Sequence, residues 1–346
     1  MQKMETSFKF IVLSTTSFIL VAMFLRQDSV LSVTQESPRN VTILLWYWPF
    51  RRTLSLEGDM CLEWYGIPNC MLVNNQSFFS RADVVIFHHH ELKTGQQHLP
   101  LHLLRPEKQA WVWLSLESPQ TNGNLRWLAG HFNWVMSYRR DADIPIPYGV
   151  LQPKVSKMSE LADTTVPQNK SALACWVVSN YKPFHKRSKV YNTLKNIIPI
   201  KVYGRWMKQP LDKQNLLTTI SQCYFYLAFE NSISRDYITE KLWRNAFLGG
   251  SVPVVLGPPR EEYEAIIPKD SFIHVNDFDS LEALGEFMKD LSRDEKRYLS
   301  YFAWRRTHSV KMITDWRERM CNICTIFPTL QSDKRHQDLE AWTKGQ

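Results

Sequence analysis

The first half of the chain contains short, almost uninterrupted apolar runs that are separated by mixed polar stretches. A run of strand length that is apolar on both faces is typical of a parallel strand buried between two layers. The pattern therefore predicts strands at residues 41–50, 82–90, 110–117 and 132–140. Parallel strands separated by segments of helical length indicate an α/β class with a doubly wound sheet.

The second half repeats the alternation of strands and helices. Strands are predicted at residues 172–180, 200–204, 223–231, 251–257 and 271–275, and helices at 187–197, 237–248 and 280–291. A polar, irregular stretch at residues 149–170 separates the halves and is the best candidate for an inter-domain linker. The chain thus predicts two Rossmann-like domains that face a cleft at the carboxyl ends of both sheets, where such sheets bind ligands.

The N-terminal segment has a different pattern. Residues 10–25 carry no charge, and Lys3 and Lys9 precede them. The run is shorter than the ~20 residues of a typical spanning helix, which suits a thin bilayer early in the secretory pathway. A cleaved signal peptide is the alternative, but no small-x-small cleavage site follows. The sequence predicts a type II signal-anchor with residues 1–9 cytosolic, residues 26–39 as a stem and the body in the lumen.

Two further features agree with a luminal body. N-x-S/T triplets at Asn40, Asn75 and Asn169 are potential glycosylation sites. The six cysteines are an even number, which suggests three disulfides in an oxidising compartment. Cys321 and Cys324 have a C-x-x-C spacing that also suits half of a zinc site, but no second C-x-x-C or finger-spaced histidine pair accompanies them.

Composition and charge exclude some broad classes of protein. Apolar residues make up 44% of the 346 residues, which excludes wholesale disorder and leaves enough chain for two cores. The net charge of +8 fits an anionic partner. No Lys/Arg block or basic heptad is present, so nucleic acid is not indicated as a partner.

Three patterns in the first half compete for a chemical role. The histidines at 88–90 suggest a metal site, but adjacent side chains of a strand face opposite ways, which favours structural histidines. Asp141 and Asp143 match a D-x-D pattern that holds divalent cations in many nucleotide-sugar enzymes, yet such pairs are frequent in loops. Glu117 ends an apolar strand and precedes Ser118, where it fits either a general base or a helix-capping residue.

Two loops in the second half connect a strand end to a helix start and suit an anionic ligand. They are flanked by Asn180 and Arg187, and by Glu230, Asn231, Tyr237, Glu240 and Lys241. A diphosphate needs helix N-terminal amides, an arginine that forks to two oxygens and a lysine. Arg187 and Lys241 have the required charge, whereas Glu240 suits neutral hydroxyls. The sequence lacks the G-x-G-x-x-G and Walker A patterns, which argues against dinucleotide and P-loop sites.

The most distinctive stretch, residues 229–278, begins FENSISRDYITEKLWRNAFLGGSVPVVLG. It resembles the signature of the α1,3-fucosyltransferases of animal Golgi membranes. The resemblance extends to ADVVIFHHHEL, WVWLSLESP, FNWVMSYRRDADIPIPYG and CWVVSN upstream, and to YFAWRR and DWRERMCNIC downstream. Within the family, WRERMCNIC and the tail DLEAW are most similar to the leukocyte-type branch that completes sialyl-Lewis x.

The resemblance implies a GT-B architecture. An acceptor domain would occupy residues 40–152, a linker 153–171, a GDP-fucose-binding domain 172–325, and a tail returning to the first domain 326–346. The implied reaction is inverting transfer of L-fucose from GDP-β-L-fucose to the 3-hydroxyl of N-acetylglucosamine in α2,3-sialylated type 2 lactosamine on glycoproteins and glycolipids. Unsialylated lactosamine, the N-glycan core, or a catalytically silent glycan-binding role remain alternatives. The implied place is the Golgi membrane, and a divalent metal is not expected to be essential.

The resemblance also implies roles for individual residues. Glu117, in the ESP motif, would be the general base, and Arg187 and Lys241 would stabilise the leaving diphosphate in place of a metal ion. The other implied donor-site residues are Tyr148, Val178, Ser179, Asn180, Tyr226, Asn231, Tyr237 and Glu240. The implied disulfides are Cys61–Cys321, Cys70–Cys324 and Cys175–Cys223.

The chain departs from the family pattern directly after WYWPF. Arg51 and Arg52 stand where some relatives carry a short neutral segment that contacts the acceptor. Either these arginines meet the carboxylate of a sialic acid, or they lie at a solvated loop tip, which is the commoner role of paired surface charges.

Overall fold

The apolar runs of the first half form a six-stranded parallel sheet in a computed structural model that describes residues 40–154 and 169–345. The predicted cytosolic tail, signal-anchor and stem (residues 1–39) and most of the predicted linker (residues 155–168) lie outside the described residues. Among the residues that are described, no helix has both the length and the apolar character needed to cross a membrane.

The first sheet has the strand order β2-β1-β3-β4-β5-β6, and all its neighbours are parallel. Its strands and the one that follows are β1 (Val41–Leu45), β2 (Cys70–Val73), β3 (Val84–His88), β4 (Ala110–Ser115), β5 (Trp134–Ser137), β6 (Ile144–Pro145) and β7 (Gly149–Pro153). The helices of this half are α1 (Met60–Tyr65), α2 (His89–Lys93) and α3 (Pro119–Asn122). The predicted strand at residues 82–90 ends at His88, because the next two histidines begin α2.

The second sheet has five parallel strands in the order β12-β11-β10-β8-β9. The strands of this half are β8 (Ala172–Val177), β9 (Ile200–Tyr203), β10 (Cys223–Phe229), β11 (Val252–Leu256), β12 (Ile273–His274) and β13 (His308–Met312). Its helices are α4 (Lys186–Leu194), α5 (Asn215–Ser221), a π-helix (Lys241–Leu248), α6 (Arg260–Glu264), α7 (Leu281–Arg293), α8 (Glu295–Ser300), α9 (Trp316–Ile326) and α10 (Leu339–Lys344).

Both sheets are covered on both faces, as the doubly wound pattern predicts. Buried residues form four apolar clusters, and a fully buried tryptophan lies in each of them: Trp134, Trp176, Trp243 and Trp113. Because the strands are buried on two sides, they read as continuous apolar runs rather than as alternating ones. This confirms the predicted parallel α/β architecture.

A small antiparallel ribbon corrects the prediction of an irregular segment at residues 149–170. Its first residues form β7, which pairs with β13 in the register Gly149↔Met312 to Pro153↔His308. Both strands are short and mix apolar with polar residues, so their local pattern does not predict them. A Cβ atom on Gly149 would lie 2.7 Å from Cγ of Trp243, so only glycine permits this close packing of β7 on the π-helix.

Three disulfides are present, in the pairing that the family resemblance implies. Cys61–Cys321 and Cys70–Cys324 join α1 and β2 to α9, and Cys175–Cys223 joins β8 to β10. The chain beyond α9 continues along the first sheet, where Glu340 of α10 accepts a hydrogen bond from the backbone N–H of Leu125. The end of the chain is thus attached to the half in which the described chain begins.

Removal of the two bridges to α9 is expected to be more than additive. While either bridge remains, the loop of more than 250 residues stays closed, so Cys61→Ser/Cys321→Ser or Cys70→Ser/Cys324→Ser alone should cost about 3 kcal/mol. Loss of both also releases the long loop, for a total of about 8 kcal/mol. Urea denaturation of the two double-serine variants and of the variant that lacks both bridges measures these free energies of unfolding. Strictly additive losses would contradict the expectation that either bridge alone keeps the long loop closed.

Candidate functional site

A cavity of about 410 Å³ lies at the carboxyl ends of strands from both sheets. Glu117 comes from the first sheet, and Arg187 and Lys241 come from the second. The cavity is also lined by seven of the eight other residues that the sequence analysis assigned to the donor site: Tyr148, Val178, Ser179, Asn180, Asn231, Tyr237 and Glu240. The structure therefore brings together ten residues from several separate segments of the sequence.

Glu117 lies two residues beyond β4, and its backbone is fixed from both sides. Its N–H donates to Oγ of Ser115 (3.2 Å), and its carbonyl oxygen accepts from Nδ2 of Asn122 (3.1 Å). Ser118 caps the short helix α3. The helix-capping role that was the alternative for Glu117 therefore belongs to Ser118. The half-buried side chain of Glu117 is left to face the cavity.

Glu230 is a buried residue behind the cavity wall that faces Glu117, and it contacts Thr239 and Lys241. This fully buried carboxylate accepts hydrogen bonds from the N–H (2.8 Å) and the hydroxyl (2.9 Å) of Thr239, and it lies 2.9 Å from Nζ of Lys241. Lys241 Nζ also lies 3.4 Å from a carboxylate oxygen of Glu240. A buried acid therefore holds the loop and orients the lysine that borders the cavity.

The electrostatics of this pair keep Lys241 charged. Burial by itself would lower the pKa of Lys241, but the neighbouring carboxylates Glu230 and Glu240 outweigh burial and raise the pKa above its ordinary value. Burial raises the pKa of Glu230, and the ammonium group of Lys241 opposes that change. The cavity wall consequently carries a fixed ammonium group.

Two buried polar atoms at the cavity lack a partner among the described residues: Nε of Arg187 and Oδ1 of Asn231. The guanidinium of Arg187 donates through Nη2 to the carbonyl oxygen of Asn180, and burial lowers its pKa. Buried polar atoms without a partner, here the donor Nε of Arg187 and the acceptor Oδ1 of Asn231, are costly and rare in folded proteins. Their presence in a cavity makes Arg187 and Asn231 candidates for contact with a ligand.

Aromatic residues form the wall where the two halves meet. The rings of Tyr237 and Tyr138 are 5.0 Å apart, and those of Tyr237 and Tyr148 are 6.4 Å apart. The hydroxyl of Tyr148 donates to the carbonyl oxygen of Leu116, next to Glu117 (2.6 Å). Burial raises the pKa of both Tyr148 and Tyr237 well above the ordinary value, so their hydroxyls are neutral donors.

The helix predicted at residues 237–248 differs from expectation in its start and its type. It begins at Lys241, and the N–H of Thr239, two residues earlier, donates to the side chain of Glu230. Its hydrogen bonds span five residues, as from the N–H of Gly249 to the carbonyl oxygen of Arg244. Single-turn π-bulges are frequent at functional sites, and here the wide helix places Arg244 and Asn245 on the cavity wall.

Tyr226 is the predicted donor-site residue that does not line the cavity. It is fully buried behind Asn245, whose Nδ2 donates to its hydroxyl (2.8 Å), and burial raises the pKa of Tyr226 to about 12. Lining residues that the sequence analysis missed are Val177, Leu211, Asp212, Lys213, Leu216, Arg244 and Asn245. Of these residues, Arg244 could have been predicted from the sequence, because it lies about one helical turn after Lys241.

The competing metal patterns are explained by structural roles. His88 Nδ1 lies 2.6 Å from Glu91, and Nε2 of His89 lies 3.0 Å from the carbonyl oxygen of Asn122. Both rings are buried, as predicted for histidines with a structural role. Cys321 and Cys324, the C-x-x-C pair, are in disulfides, so they offer no thiolate to zinc.

The two carboxylates of the D-x-D pattern are also in use elsewhere. Asp141 forms ion pairs with Arg139 (2.7 Å) and Arg235 (3.1 Å). Asp143 accepts a hydrogen bond from the N–H of Val135 (2.8 Å) and contacts Nε2 of His336 (2.7 Å), which ties the C-terminal segment to the first sheet. Neither aspartate lines the cavity.

Comparison with known families gives two matches that together cover most of the chain. Residues 38–149 match the family described as fucosyltransferase, N-terminal, and residues 167–342 match glycosyltransferase family 10 (fucosyltransferase) C-term. Glu117 and Tyr148 of the cavity lie in the first matched range, and the other cavity residues lie in the second.

Individual relatives are similar over nearly the whole chain. The alpha-(1,3)-fucosyltransferase 7 of Rattus norvegicus is 45% identical over 94% of this chain and 86% of its own, and that of Homo sapiens is 47% identical over 87% and 86%. The 4-galactosyl-N-acetylglucosaminide 3-alpha-L-fucosyltransferase 9 of Mus musculus is 41% identical over 92% and 86%. A crystal structure of an alpha1,3-fucosyltransferase with GDP-fucose has the same fold, with a TM-score of 0.55, 18% identity, and coverage of 90% of this chain and 96% of its own.

Proposed function

We propose, on the premise that this chain belongs to glycosyltransferase family 10 of the fucosyltransferases and is a glycosyltransferase, that it transfers L-fucose from GDP-β-L-fucose to the 3-hydroxyl of N-acetylglucosamine. The observation that carries this proposal is one cavity in which Glu117 of the first sheet faces Arg187 and Lys241 of the second. The names of the relatives support the linkage, and the mouse relative's name supports a 4-galactosylated N-acetylglucosamine as acceptor.

Glu117 acts as the general base in this account. As the acceptor oxygen attacks the anomeric carbon of fucose, its proton passes to the carboxylate of Glu117, and the bond from that carbon to the diphosphate breaks. Attack on the face opposite to the leaving group inverts the anomeric configuration from β to α. The fixed backbone of Glu117 and its half-buried position supply the orientation that this step needs.

Arg187 and Lys241 stabilise the leaving GDP. Negative charge grows on the diphosphate in the transition state, and preorganised cations placed where that charge develops lower the barrier. The unpaired Nε of Arg187 and the permanently charged Lys241 meet this need. Glu240 is half-exposed at the same wall and is suited to accept hydrogen bonds from sugar hydroxyls.

Arg187→Lys is expected to lower kcat/KM by about 10²-fold while keeping the positive charge. A lysine cannot reproduce the planar fork that contacts two phosphate oxygens, and loss of one preorganised donor typically costs this much. Initial rates over a range of GDP-fucose concentrations measure the effect. Lys189→Ala, at an exposed position of the same helix, is the control and should change nothing. A wild-type rate in Arg187→Lys would remove the arginine from the mechanism.

Activity is expected to persist in excess EDTA. Arg187, Lys241, Arg244 and Lys213 already place cationic groups along the cavity, and the carboxylates of the D-x-D pattern are paired with other residues. Rates measured with EDTA, and after re-addition of Mg²⁺ or Mn²⁺, test this. A complete loss in EDTA that either ion restores would contradict the assignment of charge stabilisation to the arginine and lysine.

The proposed setting is the lumen of the Golgi, with one N-terminal signal-anchor at residues 10–25. The proposed acceptors are α2,3-sialylated lactosamine chains on glycoproteins and glycolipids. Support for the sialylated preference comes from the resemblance of the WRERMCNIC segment and the DLEAW tail to the sialyl-Lewis x branch of the family. The exposed side chains of Asn40, Asn75 and Asn169 are compatible with glycosylation in that compartment.

Parallel transfer assays test the proposed function. The full-length protein and GDP-fucose are incubated with sialylated type 2 lactosamine, unsialylated type 2 lactosamine and an N-glycan core, and fucosylated products are quantified. Transfer to the sialylated chain at the highest kcat/KM supports the proposal. Preference for the neutral chain or for the core would reassign the acceptor, and glycan binding without transfer would indicate a catalytically silent protein.

A further inference from the structure

The turn after β1 has an unusual backbone. Phe50 (φ 54°, ψ 26°) and Arg51 (φ 57°) are both in the left-handed region, and neither is a glycine. A Cβ atom makes this conformation costly, so it persists only where the surroundings fix it, and such residues cluster at ligand sites. Two of them in succession therefore indicate a turn that its surroundings hold in place.

A buried carboxylate holds the turn in place. Glu91 accepts a hydrogen bond from the N–H of Phe50 through Oε1 (2.7 Å), and its Oε2 lies 2.6 Å from Nδ1 of His88. The ring of Phe50 packs at 4.9 Å from His88 and 5.0 Å from His90. The strained conformation is thus enforced by α2 and by the end of β3.

The turn presents two adjacent arginine side chains to solvent. Arg51 and Arg52 are exposed, and within residues 40–154 and 169–345 neither side chain is in an ion pair or a hydrogen bond. Phe50, directly before them, is 45% exposed. A solvated loop tip explains the charges, but it does not explain a strained backbone fixed by a buried acid.

The position of the turn relates it to Glu117. The turn follows the carboxyl end of β1, Glu117 follows the carboxyl end of β4, and β3 lies between these two strands. Two strand spacings correspond to roughly 10 Å. If the reactive sugar of the acceptor lies at Glu117, its glycan chain can extend across the strand ends. A group two sugars away from the reactive one would then lie close to Arg51 and Arg52.

We propose that Arg51 and Arg52 bind the anionic group at the non-reducing end of the acceptor, either the carboxylate of a sialic acid or a sulfate ester. This inference rests on the proposed function and adds the residues that set acceptor choice. A guanidinium group pairs in a forked geometry with a carboxylate or a sulfate. Two adjacent guanidinium groups therefore favour an anionic acceptor over a neutral one. The rigid turn reduces the ordering cost of that contact.

The test compares wild type with Arg51→Gln/Arg52→Gln on three lactosamine acceptors: 3′-sialylated, 3′-sulfated and neutral. KM for the sialylated acceptor should rise about five- to tenfold, the effect of a charge-assisted contact near a surface. KM and kcat for the neutral acceptor should stay unchanged. Arg51→Lys/Arg52→Lys should retain part of the preference, and Arg126→Gln, an exposed arginine elsewhere on the first half, should retain all of it. Added salt should weaken the wild-type preference.

The outcomes separate the inference from the proposed function. An unchanged KM for both anionic acceptors in Arg51→Gln/Arg52→Gln overturns the inference while the transferase activity stands. Equal losses on all three acceptors also overturn it, because they indicate a structural role for the turn. A rise in KM for the sulfated acceptor alone identifies sulfate as the group bound. If wild type transfers fucose to none of the three, the proposed function itself fails.

Discussion

Glu117→Gln is expected to reduce the rate of fucose transfer by about 10²- to 10⁴-fold, the usual contribution of a positioned general base. Glutamine has nearly the same shape but cannot accept the proton of the acceptor hydroxyl. The backbone contacts of Glu117 with Ser115 and Asn122 do not involve its carboxylate, so the loop should keep its conformation. The loss should appear in kcat, as measured by initial rates at saturating GDP-fucose and acceptor.

Two further measurements make the Glu117 result specific. The affinity for GDP, measured by calorimetry, should be unchanged, because Arg187 and Lys241 lie on the other half of the cavity. Glu107→Gln, which alters an exposed carboxylate outside the cavity, should be fully active. A Glu117→Gln enzyme with a wild-type kcat would exclude this residue as the base.

Lys241→Met is expected to abolish transfer and also to destabilise the fold. Removal of the ammonium group leaves Glu230 buried without its ion-pair partner, and breaking a buried pair in this way costs about 3–5 kcal/mol. Chemical denaturation measures the stability, and initial rates at saturating substrate measure the transfer.

A second substitution separates the two roles of Lys241. In Glu230→Gln/Lys241→Met both charges of this ion pair are removed, and the glutamine oxygen can still accept from Thr239, so most of the lost stability should return. Activity should remain absent, because the cation that faces the diphosphate is still missing. Recovery of activity together with stability would mean that Lys241 serves only to neutralise Glu230.

The sheets and the main site residues could be predicted because their signals are local. Buried parallel strands read as continuous apolar runs, and the polar residue after each run marks the edge where a ligand binds. Glu117 after β4 and Asn180 after β8 follow this rule, as does Asn231 after β10. The resemblance to a known family then assigned roles to residues that the pattern had only located.

The features that were missed depend on contacts between distant parts of the chain. The pairing of β7 with β13 joins two short segments of mixed polarity about 160 residues apart, and neither has a continuous apolar run. The π-helix begins only at Lys241, and the segment before it is held by Glu230, nine residues before Thr239, which accepts the N–H of Thr239. Tyr226 was assigned to the cavity although it lies behind Asn245, because alternation along β10 does not show which face a helix covers.

The structure of the fucosylated product is the most direct test of the proposed transfer reaction. The full-length protein is incubated with GDP-β-L-fucose and type 2 lactosamine, with and without α2,3-linked sialic acid, and the linkage is determined by NMR. The expected product carries a single new fucose, α-linked to the 3-hydroxyl of N-acetylglucosamine. A β-linked fucose, a fucose on another hydroxyl, or no transfer to either acceptor would contradict it.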